Sequence, residues 1–171
     1  MNIEVIILRL IHVLGGMFWL GAALFNSFFL MPAAAAAGPA AGPVLAGLQQ
    51  RKLFTVLPVV AVLTLLSGIR LIWIVSGNNG AYFQTSMGRT LSLGGLFAIV
   101  AFIFGMIYVR PAGARMGTVS AALGAARDDA TRAQLAAELA GLRRRMAVGN
   151  LIATTLLILA AVAMAIARHL P

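Results

Sequence analysis

Long apolar stretches alternate with polar segments along the chain, and their spacing predicts the main elements. Four stretches, at 4–31, 53–76, 89–109 and 149–168, carry few charges. Because a helix needs roughly 20 apolar residues to cross the hydrocarbon core of a bilayer, each stretch predicts one transmembrane helix. The first stretch exceeds the roughly 7–15 apolar residues of a signal peptide, and its leading charge is Glu4. We therefore expect it to be retained.

A polar segment at 112–147 separates the third and fourth stretches and has a helical pattern of its own. Apolar residues recur at helical spacing on both sides of the pair Asp128 and Asp129. Thr131 and Gln134 fit a capping box at the start of the second half. The segment therefore predicts a helical hairpin that turns near 127–131. The Ala-, Gly- and Pro-rich stretch at 32–47 is typical of a connector.

Together these elements predict an all-α protein. We expect an integral membrane four-helix bundle with a cytoplasmic helical extension between the third and fourth spans, in a single transmembrane domain over 1–171. Of the 171 residues, 61% are hydrophobic and 10% are charged, whereas a soluble domain has about 45–50% and about 25%. A single core formed by 171 residues could not bury so much apolar surface, so we expect the helices to be surrounded by a lipid bilayer. The chain has no cysteine, which excludes disulfides and thiolate ligands.

The basic residues predict the orientation of the helices. The net charge is +9, and the basic residues flank the apolar stretches without interleaved aromatic residues, which argues against a nucleic acid partner. Nine of the thirteen are concentrated in two segments, namely Arg51, Lys52, Arg110, Arg115, Arg127, Arg132, Arg143, Arg144 and Arg145. The positive-inside rule places these segments in the cytoplasm and both termini outside. We predict a multi-pass protein of a bacterial-type inner (cell) membrane.

One face of the first predicted helix carries ionisable and polar groups. Positions at helical spacing form a single stripe that consists of Arg9, His12, Gly16, Trp19, Ala23 and Asn26. Ionisable groups inside a membrane are costly and usually face protein or a cavity, so the stripe should point into the bundle. Gly16 would let a neighbouring helix or a flat ligand approach closely. In the alternative interpretation, His12 and Trp19 serve only in packing.

Three arginines are expected at one depth near the outer end of the bundle. The predicted orientation brings Arg9, Arg70 and Arg89 to this level, and Glu4 is the only acidic residue nearby. Unpaired cations are unfavourable at low dielectric, so the arrangement favours an anionic partner. In the alternative interpretation, the arginine side chains extend to the lipid head groups.

The first span also contains a short motif. His12, Trp19 and Gly21 form the pattern H-x6-W-x-G at the start of a four-helix unit. This pattern resembles that of the CopD-like (copper resistance D) membrane proteins and related domains of unknown function. It is similar, more distantly, to the HemJ-type protoporphyrinogen oxidases, in which a histidine of the first span ligates b-type haem. That resemblance implies a haem ligand at His12. Those enzymes also rely on a lysine in a later span, whereas the sole lysine here is Lys52.

The sequence therefore favours binding of haem b near the outer side of the bundle, for electron transfer. His12 and Met164 are the expected metal ligands, and the arginine cluster would pair with the propionates. Two alternatives stay open: CopD-like copper handling through Met87, Met164, His12 and His169, and a non-catalytic accessory subunit of a larger membrane complex. A redox partner or a homo-oligomer is compatible with either. The sequence has no catalytic triad, phosphate loop or paired carboxylates within a span, which favours a non-enzymatic role without deciding it.

Overall fold

Five helices form the protein in the computed structural model, which describes residues 2–170 apart from the side chains of Pro39 and Phe54. Their bounds are Ile3–Ala37 for α1, Gly42–Gln50 for α2, Leu53–Ser76 for α3, Ser86–Ala125 for α4 and Asp129–Ile166 for α5. Short 3-10 turns are found at Gly38–Ala41, Gly80–Gln84 and Ala167–His169. Within this described part, α1, α3, α4 and α5 are long and apolar enough to cross a membrane, as expected of a multi-pass membrane protein. The all-α prediction is confirmed.

The four long helices alternate in direction, so the two ends of the bundle differ. We call the end with Asn2, Leu170 and the loop at 77–85 the terminal end. The end with α2 and the turn between α4 and α5 is the hairpin end. At the terminal end the Asn2 side chain caps α1 by accepting the backbone N–H of Glu4 at 3.0 Å. There α3 ends at Gly77, whose φ of 57° is left-handed and suits glycine.

Two of the long helices contain a π-helical turn shortly before a proline. Asn26–Leu30 in α1 precedes Pro32, and Gly105–Val109 in α4 precedes Pro111. A proline has no N–H to donate and its ring crowds the carbonyl four residues earlier, so the helix widens there. Because the chain stays helical beyond Pro32, α1 continues to Ala37 through a run of alanines, which are strong helix formers. The connector expected at 32–47 is thus mostly helical.

Beyond their most apolar parts, α4 and α5 pair as a helical hairpin. Val119 and Leu139 are buried between the two helices. Arg115 donates to Glu138 across the pair, with Nε and Oε1 2.7 Å apart. The apolar spacing at 112–147 therefore corresponds to a packed interface.

The cap of α5 differs from the predicted capping box. The side chain of Asp128 accepts the backbone N–H of Thr131 at 2.8 Å, so Asp128 is the N-cap and Thr131 lies inside the first turn. The predicted capping box of Thr131 with Gln134 is therefore wrong, because Asp128 takes the N-cap position and Thr131 already lies within the helix. The hydrogen bonds from Thr131 lower the pKa of Asp128 below its ordinary value of 3.8.

The four long helices pack as two close pairs, α1 with α3 and α4 with α5. Glycines bring the helices of the second pair together. A Cβ on Gly94 would lie 3.2 Å from the carbonyl oxygen of Ala160, and one on Gly149 would lie 2.8 Å from Val109 Cγ2. Contacts between the two pairs are fewer. We call the interface between the pairs the seam.

Candidate functional site

His12 lies in the close interface between α1 and α3. Its Nδ1 is 2.8 Å from the carbonyl oxygen of Thr64. A carbonyl oxygen only accepts hydrogen bonds, so Nδ1 carries the proton and Nε2 of the neutral ring keeps its lone pair. The ring lies against Gly68, where a Cβ would be 2.6 Å from His12 Cε1. The polar stripe of α1 thus packs on protein at this level.

Helix α3 comes closest to α1 at Gly15, whereas the sequence analysis expected the close approach at Gly16. A Cβ on Gly15 would overlap Thr64 Oγ1, whereas one on Gly16 would make an ordinary contact, 3.7 Å from Thr64 Cγ2. Thr64 is buried, and its hydroxyl donates to the carbonyl of Val60 at 2.8 Å. Successive residues of a helix point about 100° apart, so Gly15 and Gly16 lie on different sides of α1. The place where α3 crosses α1 decides which of the two is in the interface.

The three arginines differ in their surroundings. Arg70 forms an ion pair with Glu4, with 2.7 Å between NH2 and Oε1, so its charge is balanced within the chain. Arg89 donates to the side chain of Gln84 at 3.2 Å. Arg9 is exposed. The cluster of unpaired cations expected at the terminal end therefore does not include Arg70.

The other predicted metal ligands have separate neighbours. Met164 packs on α4, where a Cβ on Gly94 would lie 3.3 Å from its Cγ. His169 accepts a hydrogen bond from Nε of Arg168 at 3.0 Å. Among residues 2–170, no group of three or more His, Asp or Glu side chains is arranged to hold a metal ion. Hence these contacts do not bring His12, Met164 and His169 together.

A cavity lies in the seam, in the half of the bundle toward the hairpin end. Its volume is about 880 Å³. Its lining falls within 17–31 of α1, 48–49 of α2, 53–61 of α3, 101–114 of α4 and 146–157 of α5, and it includes Lys52 between α2 and α3. Of the predicted site residues, only Trp19 belongs to this lining. Trp19 also contacts Phe102 of α4 edge to face, with ring centroids 6.3 Å apart, and so bridges the seam.

Polar groups of the cavity gather around the π-turns. Thr154 Oγ1 donates to the carbonyl of Ala23 at 3.3 Å and lies 2.8 Å from the hydroxyl of Ser27. Thr154 is only 1% exposed, so these contacts are shielded from competing donors. The Nδ2 of Asn150 is buried without a hydrogen-bond partner in the described structure. An unpaired buried donor of this kind is unusual in a folded protein, and it belongs to a residue of the cavity lining.

The lining contains two cations, Lys52 and Arg110, and no acidic residue. Both are exposed, which places them at the mouth of the cavity. Lys52 has a left-handed backbone with φ of 58°. Its N–H donates to the carbonyl of Gln49 at 2.9 Å, and its carbonyl accepts the N–H of Val56 at 2.9 Å, so it joins α2 to α3 in a fixed turn.

Sequence reasoning missed this cavity, although three signals pointed to it. Pro32 and Pro111 mark the two π-turns, and Lys52 is the only lysine. In the sequence alone, Asn150 and Thr154 are typical of hydrogen bonds between helices and do not indicate a site. Comparison with models of protein families, with curated proteins and with solved structures finds no match to this chain.

Proposed function

We propose that this chain is a multi-pass membrane protein that binds a small apolar or amphipathic molecule in the seam cavity. The observation that carries the proposal is a mainly apolar cavity of about 880 Å³ that is lined by all four long helices. Small-molecule sites typically measure roughly 300–1,000 Å³ and combine an apolar lining with a few polar groups. Bundle interiors are a usual location for such sites.

The exposure of the lining residues supports entry from the bilayer. Met17, Phe18 and Phe25 line the cavity, yet they are 67%, 46% and 57% exposed. An exposed apolar side chain on a membrane helix faces lipid, so these residues mark an opening toward the hydrocarbon. Both π-turns border the cavity, and such turns are frequent at functional sites.

Quenching of tryptophan fluorescence tests the proposal directly. Trp19 lines the cavity and Trp73 does not, so a Trp73→Phe variant leaves one reporter at the site. Dibrominated stearic acid and dibrominated stearyl alcohol quench tryptophan only at short range. We expect at least one of the two probes to quench Trp19 with a saturable dependence on concentration.

A matched pair of substitutions separates the cavity from the surrounding lipid. Ala153→Phe adds an aromatic ring to the lining, whereas Ala161→Phe adds the same ring on an exposed part of α5 that does not line the cavity. Saturable quenching should be lost in the first variant and kept in the second, while both elute as the parent does in size-exclusion chromatography. Equal quenching in the two variants would contradict the proposal.

The second candidate function is binding of haem b for electron transfer, and the hydrogen bond of His12 favours it. Because Nδ1 donates to the carbonyl of Thr64, the lone pair on Nε2 is available as an axial ligand. The ion pair of Arg70 with Glu4 fits less well, since it occupies one of the cations expected to pair with a propionate. When bound, haem would supply a one-electron redox centre.

The absorption spectrum tests the haem proposal. Protein purified from haem-replete cells should show a Soret band that is lost in His12→Ala and kept in His169→Ala. A parent protein without a Soret band would contradict this candidate and leave the cavity proposal unaffected.

A further inference from the structure

We propose that the ligand of the seam cavity is an anionic amphiphile. Its carboxylate or phosphate head group is bound by Lys52 and Arg110, and its apolar part extends toward Trp19. This inference rests on the proposed function, because it names the class of molecule that the same cavity takes.

The charge balance of the chain supports an anionic ligand. The four acidic residues are Glu4, Asp128, Asp129 and Glu138. Glu4 pairs with Arg70, Glu138 pairs with Arg115, and the two aspartates begin α5 at the hairpin turn. None of them lines the cavity, so the lining of the described structure carries two positive charges and no negative one. An anionic head group would supply the missing charge through charge-assisted hydrogen bonds.

Lys52 combines a left-handed backbone with a place in the cavity lining. The helix α3 is bounded by left-handed residues at both ends, Lys52 with φ of 58° and Gly77 with φ of 57°. A glycine takes this conformation freely, whereas a residue with a Cβ atom is strained in it. Strained residues of this kind concentrate at ligand sites. Asn78, with φ of 60°, is also left-handed but lies outside the lining, so of these two residues only Lys52 belongs to the cavity.

The polarity of the lining changes along the bundle in the way that an amphiphile requires. Lys52 and Arg110 are exposed at the hairpin end, where a head group would reach the polar interface. Trp19 and Leu157 line the opposite, apolar part. The lining also includes Asn150, whose buried Nδ2 has no hydrogen-bond partner in the described structure. The ligand would therefore lie along the seam with its head group at the mouth.

A comparison of charged and neutral probes tests this inference. In the Trp73→Phe background, quenching of Trp19 is titrated with dibrominated stearic acid, with dibrominated lysophosphatidic acid and with dibrominated stearyl alcohol, at alkaline pH. At least one acid should bind roughly tenfold more tightly than the alcohol, as expected for one charge-assisted contact. The two acids distinguish a carboxylate from a phosphate head group.

Substitutions of the two cations identify the contact. Lys52→Gln and Arg110→Gln should each reduce the preference for the acid severalfold, while binding of the alcohol stays unchanged. Lys52→Arg should restore the preference, and Arg51→Gln, at a neighbouring exposed residue outside the lining, should have no effect. Equal binding of acids and alcohol in the parent would overturn the inference and leave the proposed function standing. Absence of quenching by all three probes would overturn both.

Discussion

Replacing three glycines of α1 one at a time tests the packing of α1 on α3. A Cβ on Gly15 would overlap Thr64 Oγ1, one on Gly16 would make an ordinary contact at 3.7 Å, and one on Gly21 would meet nothing within 4 Å. Thr64 cannot easily move away, because its hydroxyl is bonded to Val60. Overpacking of this kind costs about 1–3 kcal/mol. Replacing glycine by alanine within a helix regains roughly 0.8–1.0 kcal/mol of propensity.

The three alanine variants should therefore differ in order as well as in size. We expect Gly15→Ala to lower the free energy of unfolding by up to about 2 kcal/mol after the gain in helix propensity. Gly16→Ala and Gly21→Ala should be neutral or slightly stabilised. Thermal unfolding of the purified variants in one detergent measures the series. A series in which Gly16→Ala is the least stable, or in which all three variants match the parent, would refute this packing.

Three further variants test other parts of the structure. Thr154→Val should cost about 1 kcal/mol in detergent unfolding by removing the contacts with α1, whereas Thr155→Val, which loses only a bond within α5, should cost less. The lowered pKa of Asp128 determines how the effect of Asp128→Ala depends on pH. The variant should lose a constant amount of stability above the ordinary carboxyl pKa, and this loss should shrink as the pH falls below 3.8. Hydrogen exchange in the hairpin measures the loss. Replacing both Pro32 and Pro111 by alanine should narrow the cavity and reduce probe quenching of Trp19, and unchanged quenching would contradict the role given to the π-turns.

Apolar periodicity was enough to predict the four long helices and the all-α fold, because a bilayer demands long uncharged runs. It also placed His12 and Trp19 on a face that packs on protein. It did not distinguish Gly15 from Gly16, since a face read from one helix leaves open where the partner helix crosses. The ion pair of Glu4 with Arg70 was likewise underestimated: the sequence placed both near one end, but only the fold brings them to 2.7 Å.

The cavity could not be predicted in the same way, because its lining comes from five helices and its polar residues are far apart in the chain. Thr154 and Ser27 are separated by 127 positions, and only the packing of α5 on α1 brings them together. The hydrophobic pattern also did not predict the two π-turns, because a widened helical turn has the same kinds of residue as an ordinary one. The prolines that cause these turns, Pro32 and Pro111, are nevertheless visible in the sequence. Each lies two residues after the last residue of its π-turn.

Glycines allow close packing within each helix pair, whereas a glycine in the seam leaves open space in the cavity. The second kind of glycine belongs to the motif of the first span. Gly15 and Gly149 allow close contact within the helix pairs, whereas Gly21 lines the cavity with open space around it. Trp19 lines the same cavity, and the hydrogen bond of His12 to α3 lies only three residues, or about 4.5 Å of helix, beyond the lining residue Ala61. Two residues of the H-x6-W-x-G pattern, Trp19 and Gly21, thus line the cavity away from the two cations, and His12 lies outside the lining. A ligand bound in the seam would therefore contact the motif with its apolar part, and substitutions at Trp19 or Gly21 should alter chain-length preference more than charge preference.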